Sequence, residues 1–444
     1  MIQVYAIGGK NGAGKRTPLG NRNGGLRDVH PVELGRTAVR GVLDDLGLED
    51  DRVDELILGC ATQTAEQGYN MANLVGELAK LRCAASTVNS LCKSGGVAIN
   101  YGWGCIASDQ AKIVIAGGAE NNHRVFQGQD IMPPCSRPDD GLISLTKRTH
   151  KNFWDSILKG PKMVQASLPE EYLLHPMGKS GDAVAKEWKI PREVLDRRAA
   201  ESQWKAALAR YNGDFDNEIV PVKTPYGVVK FDDGIREDTT LEGLAKLPPR
   251  FGKRIPKWGM PFWPFTKLGF KTGTSTAGNS SQISAGAAVL VLAGEDTVRE
   301  LRKEGKLGES VFRLVASAQV KTNSQNPGQQ LIGPPEAIKK VLRKANLDLK
   351  NIDVFEVNEA FASVLEATIR SAKLDPEKVN VRGGAIALGH PLGASGTRLP
   401  VTLMHILDDY AKDKRQARFG LSTLCVGGGQ ALAQIFERVP TDSV

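Results

Sequence analysis

The 444-residue chain is poor in cysteine, with six, and poor in histidine, also six. Six thiols are too few to staple a chain this long, so a disulfide framework is excluded. They stand at 60, 83, 92, 105, 135 and 425, never as a C-x-x-C pair, which argues against a structural zinc site. No apolar stretch reaches the roughly 18 residues that a membrane-spanning helix requires. Basic residues are scattered, with no run that reads as a nucleic-acid arm. The net charge of +8, from 58 Lys+Arg against 50 Asp+Glu, suits an anionic small molecule such as a nucleotide or a CoA ester. The first residues, Met1 to Ile7, read as a strand and not as a signal peptide. The last four, Thr441 to Val444, match no retention or peroxisomal tripeptide. A cytoplasmic protein with reduced thiols is expected.

What is present is an alternation of strand and helix patterns. In the first third, 53–58 is a buried-strand run ending at Gly59. Residues 72–81 have helical spacing, with Leu74, Leu78 and Leu81 on one side. Residues 87–89 are a short β-type run before Cys92, and Ser94–Ala107 is a small-residue helix. The run 112–116 reads as a central parallel strand closed by Gly117-Gly118. The last third repeats the grammar: a strand at 354–357, a helix over 359–371, another helix after Gly389, and a strand at 419–424 ending near Gly427-Gly428-Gly429. This is a weak internal duplication. Between the two parts, about 125 to 280, proline, tryptophan and charged clusters mark a less regular, lid-like region. The helix 191–211 is set within it, with Pro191 near its first turn.

Five segments carry candidate chemistry. Cys92 lies at a strand-to-helix junction, where free backbone N–H groups favour thiolate, the nucleophilic form. Lys93 adds a positive charge beside it. The alternative is an inert cysteine in a tight turn. Cys425 precedes three glycines, either as a packed thiol or beside amides that form an oxyanion hole. His390 is bracketed by Gly383, Gly384, Gly389, Gly393, Gly396 and Pro391, which favours a functional role. The segment lacks the Gly-Lys-Ser/Thr ending of a nucleotide P-loop. Asn358 follows a strand and opens a helix, as an N-cap or as a buried amide holding a catalytic water. The Gly/Ser-rich 273–288 is either a plain turn or a cradle of hydroxyls and amides for a thioester arm.

Together, in this order, these segments resemble the thiolase family of acyl-CoA acyltransferases across essentially the whole chain. Arg16-Thr17-Pro18-Leu19-Gly20, Gly117-Gly118-Ala119-Glu120, Met177-Gly178, Glu218-Ile219-Val220-Pro221, Thr239-Thr240-Leu241-Glu242 and Gly389-His390-Pro391 add to the match. The resemblance implies an α/β thiolase fold: two similar βαβαβαββ halves packed as a five-layered α-β-α-β-α core with an inserted loop domain. The N-terminal half would be 1–124, completed by about 279–296. The loop domain, binding CoA and covering the active site, would be 125–278, and the C-terminal half 297–444.

The same resemblance implies the roles of individual residues. Cys92 would be the acyl-carrying nucleophile, and His390 the base that takes its proton and polarises the thioester oxygen. Cys425 would be the acid/base for the α-proton. Asn358 would hold a water that forms one oxyanion hole with His390, and the N–H groups of Cys92 and Gly427 the second. Ser281 would lie beside the pantetheine, and Met177 would contact substrate. The implied activity is that of an acetyl-CoA C-acyltransferase or C-acetyltransferase. It would cleave 3-ketoacyl-CoA by thiolysis, or run the reverse condensation, by a ping-pong route. Coenzyme A and acyl-CoA would be substrates, with no metal or redox cofactor and no nucleic acid. A homodimer or homotetramer is implied, with another lipid-metabolism enzyme as a further partner.

Two rival readings keep the fold: a condensing enzyme such as a ketosynthase or hydroxymethylglutaryl-CoA synthase, or a non-enzymatic subunit. Cys425 argues against the first, and four complete catalytic positions against the second. Lys93, Gln330 and Pro176 depart from the commoner family residues, and the Trp/Phe/Pro-rich stretch 258–265 reads as a subunit interface ahead of an acyl-pocket wall or a membrane-surface contact. These departures bear on the acyl chain, not on the reaction type.

Overall fold

A computed structural model describes residues 2–125, 175–251, 254–255, 270–271, 273–413 and 416–444. Cys135 and the stretch 258–265 lie outside the described residues.

The first half runs β1 (Val4–Gly9), α1 (Pro31–Leu46), β2 (Glu55–Gly59), α2 (Met71–Leu78), β3 (Ala84–Val88), α3 (Ser94–Ala107) and β4 (Ile113–Asn121). Helices α4 (Met177–Glu187) and α5 (Arg192–Asn212) follow, and then β5 (Ala285–Gly294). The second half runs β6 (Ser310–Lys321), α6 (Pro334–Ala345), β7 (Val354–Val357), α7 (Ala362–Ala372), α8 (Leu392–Lys412), β8 (Phe419–Val426) and β9 (Gln430–Pro440). The principal strands form one mixed sheet in the order β7-β8-β9-β6-β1-β5-β4-β2-β3. The halves are stitched by β1 and β6, where Tyr5 pairs with Arg313 and Ala6 with Phe312.

Alternation along β5 shows how the layers arise. Val289 and Val291 face the outer core with α1 and α2, while Leu290 and Leu292 face a middle core with α3 and α8. On the far side, α6 and α7 cover β7, β8 and β9. The result is the α/β fold with helix, sheet, helix, sheet, helix layers. The second half keeps the third parallel strand only as a single bridge between Phe355 and Val379.

The middle layer is possible because two glycine-rich helices meet backbone to backbone. A Cβ on Gly95 would lie 2.8 Å from the Gly393 oxygen, and one on Gly396 would lie 2.5 Å from the Gly96 nitrogen. This close approach brings the N-termini of α3 and α8 together. The inserted region is fastened to the first half by Arg16, fully buried, whose guanidinium binds Glu218 at 2.6 Å and Asp232 at 2.7 Å. Two of the sequence motifs, around Arg16 and around Glu218, are thus two sides of one buried ion cluster.

Three local expectations are corrected. Helix α2 ends at Leu78, short of the expected 81, and of the leucines expected on one side only Leu78 is exposed. Met71, Ala72, Val75 and Ala79 are buried, whereas Leu78 is half exposed. Strand β4 does not close at Gly117-Gly118 but runs through both to Asn121. A Cβ on Gly118 would lie 2.1 Å from the Gly393 oxygen, so these glycines admit α8 rather than end a strand. Asn358 is not a helix cap: α7 begins at Ala362, with Phe361 at the N-cap position.

Candidate active site

The Cys92 turn joins β3 to α3. Leu91 takes φ 54°, and its N–H donates to Asn89 Oδ1 at 3.0 Å. Ser94 Oγ donates to the Leu91 oxygen at 2.6 Å and accepts from the Ser90 N–H at 2.9 Å. A short side-chain network therefore fixes the turn before the helix starts. Opposite it, β8 delivers Cys425 and then turns through Gly427, Gly428 and Gly429, the last two at φ 79° and 75°. The neighbouring Gly427 N–H favours the Cys92 thiolate. A Cβ on Gly427 would lie 3.4 Å from Met177 Sδ, so Met177, the first residue of α4, covers this corner. Cys425 packs in the apolar cluster that also includes Phe361, Leu331 and Met177.

His390 is buried just ahead of α8. Its N–H reaches the Gln282 oxygen at 3.2 Å and Ser284 Oγ at 3.2 Å. Nδ1 lies 2.6 Å from Ser395 Oγ, while that hydroxyl donates to the Pro391 oxygen at 2.8 Å. One hydroxyl has one proton, so Nδ1–H is the donor and Nε2 keeps its lone pair. Asn358 Nδ2 stands 3.4 Å from Nε2. Asn358 Oδ1 is buried with no partner among the described residues. Asn358 leaves β7 beside β8, its N–H donating to the Thr423 oxygen at 2.9 Å, two residues before Cys425.

Burial governs the protonation states. It pushes the Cys92 thiol up from 9.0 to about 11, against the opposing Gly427 N–H. The expected pull of the helix terminus towards thiolate is outweighed. Cys425 is pushed further up, by burial and then by neighbouring Cys92. Burial, with the Arg398 cation second, lowers His390 from 6.5 to about 3. The resting site therefore pairs neutral thiols with a neutral imidazole, which is the form that can accept a proton.

Two buried carboxylates, present in the motifs but given no role there, brace this arrangement. Glu120 accepts from the N–H groups of Ala61, Thr62 and Gly393 at 2.7, 3.1 and 2.9 Å. Glu359 accepts from Ser202 at 2.6 Å, Asn380 at 2.8 Å and the Ile386 N–H at 3.1 Å. It ties α5 and the segment before His390 to Asn358's own neighbour. Their partners are remote in sequence, so spacing gave no signal. Ser281 joins the same corner through its N–H to the Ala360 oxygen at 3.1 Å. Lys93 does not offer its charge to the thiol. Its ammonium turns away to Gln319 and Gln430. Gln330 is buried and accepts from Ser180 of α4 at 2.8 Å, and Pro176 is the residue that precedes α4.

Among the described residues no helix is long and apolar enough to cross a membrane, and no cluster of three or more His, Cys, Asp or Glu is placed to hold a metal.

Comparison with known proteins agrees with this layout. The thiolase N-terminal domain matches residues 13–255 and the thiolase C-terminal domain matches residues 312–438. A probable acetyl-CoA acyltransferase of Staphylococcus aureus strain COL is 37% identical over 433 residues, covering 96% of this chain and 98% of its own. Its counterpart in strain N315 is 36% identical over the same span. The crystal structure of the Bacillus anthracis acetyl-CoA acetyltransferase superposes with a TM-score of 0.77 at 30% identity, covering 99% of each chain. The chain belongs to the thiolase family, and it is an acyltransferase of that family.

Proposed function

We propose that the chain cleaves 3-ketoacyl-CoA by thiolysis, and runs the reverse condensation, through an acyl group carried on Cys92. His390 Nε2 takes the Cys92 proton. The thiolate attacks the 3-keto carbon, and the tetrahedral oxygen is received by the Cys92 and Gly427 N–H groups. The C2–C3 bond breaks. The electron pair passes to the acetyl-CoA enolate, whose oxygen is received by His390 and a water on Asn358. Cys425 then protonates that enolate at carbon. Coenzyme A gives its thiol proton to the Cys425 thiolate and attacks the acyl-Cys92 thioester; Cys92 leaves as thiolate and takes its proton back from His390, and acyl-CoA departs.

The observation that carries this reading is the buried His390 imidazole, with Nδ1 2.6 Å from Ser395 Oγ and Nε2 3.4 Å from Asn358 Nδ2, in a site where the Gly427 N–H favours the Cys92 thiolate. Forming a thiolate and an imidazolium in a buried site is unfavourable until the donors take up the developing charge, so the proton moves when substrate is in place. The two reduced thiols suit a reducing, cytoplasmic compartment. Among the described residues edge strand β3 pairs only with β2, and its Ala84 and Ser86 are exposed, which supports a homodimer or homotetramer. A role in fatty acid metabolism follows from the substrate class. Gln330 and Ser180 place a polar pair in the wall near Met177, where the acyl chain is expected to lie.

The test is a thiolysis assay over 3-ketoacyl-CoA esters of graded length, with mass spectrometry of Cys92. An acyl adduct on Cys92 supports the route. Turnover with no adduct under any quench sinks it.

A further inference from the structure

Lys93 is 3% exposed, yet no carboxylate pairs with it among the described residues. Its Nζ donates to Gln319 Oε1 at 2.6 Å and to Gln430 Oε1 at 2.6 Å. It also sits at the N-cap of α3, the end of a helix that disfavours a cation. An apolar side chain of the same length would fill the space without the cost of burying an ammonium. What it could not do is grip two strands of the opposite half.

Those strands are the pair that carries the glycine turn. Gln430 is the first residue of β9, immediately after Gly429, and lies opposite Lys321 of β6. Gln319 is two residues earlier on β6, so both amides share one face as diagonal neighbours. Gly428 and Gly429 have no side chains to hold the turn. The β8–β9 ladder closes the turn at Val426 and Gln430, and the Thr322 N–H donates to the Gly429 oxygen at 2.6 Å.

We propose that Lys93 is a positioning residue that ties the Cys92 turn to the Gly427–Gly429 turn and so sets where the Gly427 N–H meets the reacting sulfur. The proposal rests on the acyl-cysteine reading above. Lys93 adjoins Cys92, and Gln430 is three residues past Gly427, so the two hydrogen bonds span the gap between nucleophile and donor. The role is geometric: the ammonium acts through the glutamines and not by proximity to the thiol.

The test compares Lys93→Met, Gln430→Leu and Gln319→Met in the full chain. Three readouts are taken: kcat and KM for thiolysis, the pH dependence of Cys92 alkylation by iodoacetamide, and Tm. Lys93→Met and Gln430→Leu are both expected to lower kcat by on the order of 10²-fold, the effect of misplacing a reacting group by about 1 Å. KM for coenzyme A should stay within about threefold, because the tie positions the reacting atoms and not the bound cofactor arm. Both should move the alkylation profile to higher pH, because the thiolate loses its donor. Gln319→Met leaves the Gln430 bond and should do less.

Lys93→Met with unchanged kcat and alkylation profile overturns the proposal. So does a pair in which Lys93→Met is impaired and a folded Gln430→Leu is not, because then charge and not the tie is at work. A change in Tm alone makes Lys93 merely structural and also overturns it. The alkylation arm needs no acyl substrate. A wild-type chain that fails to form acyl-Cys92 therefore defeats the function reading without deciding this one.

Discussion

The two halves repeat one plan, and their differences sit where the chemistry sits. In each, a parallel strand next to the middle layer is followed by an antiparallel one: β4 then β5 in the first half, β8 then β9 in the second. Between β8 and β9 the chain needs only the three-glycine turn. At the matching point between β4 and β5 the first half inserts the region that contains α4 and α5. The same position thus yields a backbone donor on one side and, on the other, Met177 covering that donor. The helices differ as well. Helix α3 follows a partly exposed thiol, while α8 follows a buried imidazole and is itself buried from Leu392 to Leu407. One half presents the thiol, and the other shelters the imidazole, which the proposed function makes nucleophile and base.

The strongest test of this division removes each group in turn. Cys92→Ala should lower thiolysis by on the order of 10⁶-fold, to background. His390→Ala should cost on the order of 10²–10⁴-fold in kcat, as expected for loss of a general base, with Tm little changed. Steady-state kinetics on purified variants checks both. Equal losses would mean that the two residues act as one unit, and not as separable nucleophile and base.

The glycines sharpen the contrast in stability. Gly118→Ala places a methyl carbon 2.1 Å from the Gly393 oxygen and 2.9 Å from the Gly59 oxygen, both backbone atoms that cannot rotate away. A loss of about 3 kcal/mol is expected, measured by urea unfolding. Gly428→Ala must adopt the left-handed conformation at φ 79° and should cost about 1–2 kcal/mol. Its larger effect should fall on kcat. The opposite ranking would mean that the glycines of the two halves are interchangeable after all.

The candidate site was legible mainly through the thiolase resemblance, since local context alone left Cys92, Cys425 and Asn358 open. Cys92, Cys425, His390 and Asn358 each stand among residues that free the backbone or end an element. What was hidden depends on packing between remote segments. Gly117-Gly118 looked like a strand end because the close approach of Gly393 is invisible from the local run. Asn358 could be read as a cap or as a buried amide, and only the start of α7 at Ala362 removes the cap. The phase of α2 was ambiguous because Leu74 packs on the same core as Met71 and Val75 while Leu78 is exposed, and Leu81, also buried, follows the helix end. Lys93 was assigned to the wrong neighbour for the same reason, since its glutamines lie on β6 and β9. Charge and periodicity give the kind of environment, while direction comes from the packing.

The protonation states offer a third comparison, between free and substrate-bound enzyme. With its thiol raised to about 11, Cys92 of the free enzyme should show iodoacetamide reactivity that still climbs between pH 9 and about 10.5. The sign follows from burial: a raised thiol pKa means less thiolate at any neutral pH, so reactivity is lost as pH falls. Mass spectrometry of alkylated Cys92 across pH checks this. A midpoint at or below 9.0 would mean that the helix terminus outweighs burial.

The smallest expected effect concerns Leu91, the residue that aims Cys92. Its φ of 54° costs a leucine about 1–2 kcal/mol, which Leu91→Gly would relieve. The glycine gives back about 0.5–1 kcal/mol through the freer unfolded chain. Leu91 is 39% exposed, so removing its side chain forfeits only about 1 kcal/mol of apolar burial. These contributions nearly cancel, and Tm should barely move. The rate should not be so indifferent, because the leucine side chain stands near Gly427, where a Cβ would lie 3.8 Å from Leu91 Cδ1. A few-fold fall in kcat with unchanged Tm would show that the strained residue holds the nucleophile against its donor. Unchanged kcat would assign that task wholly to the Asn89 and Ser94 hydrogen bonds, which the substitution leaves in place.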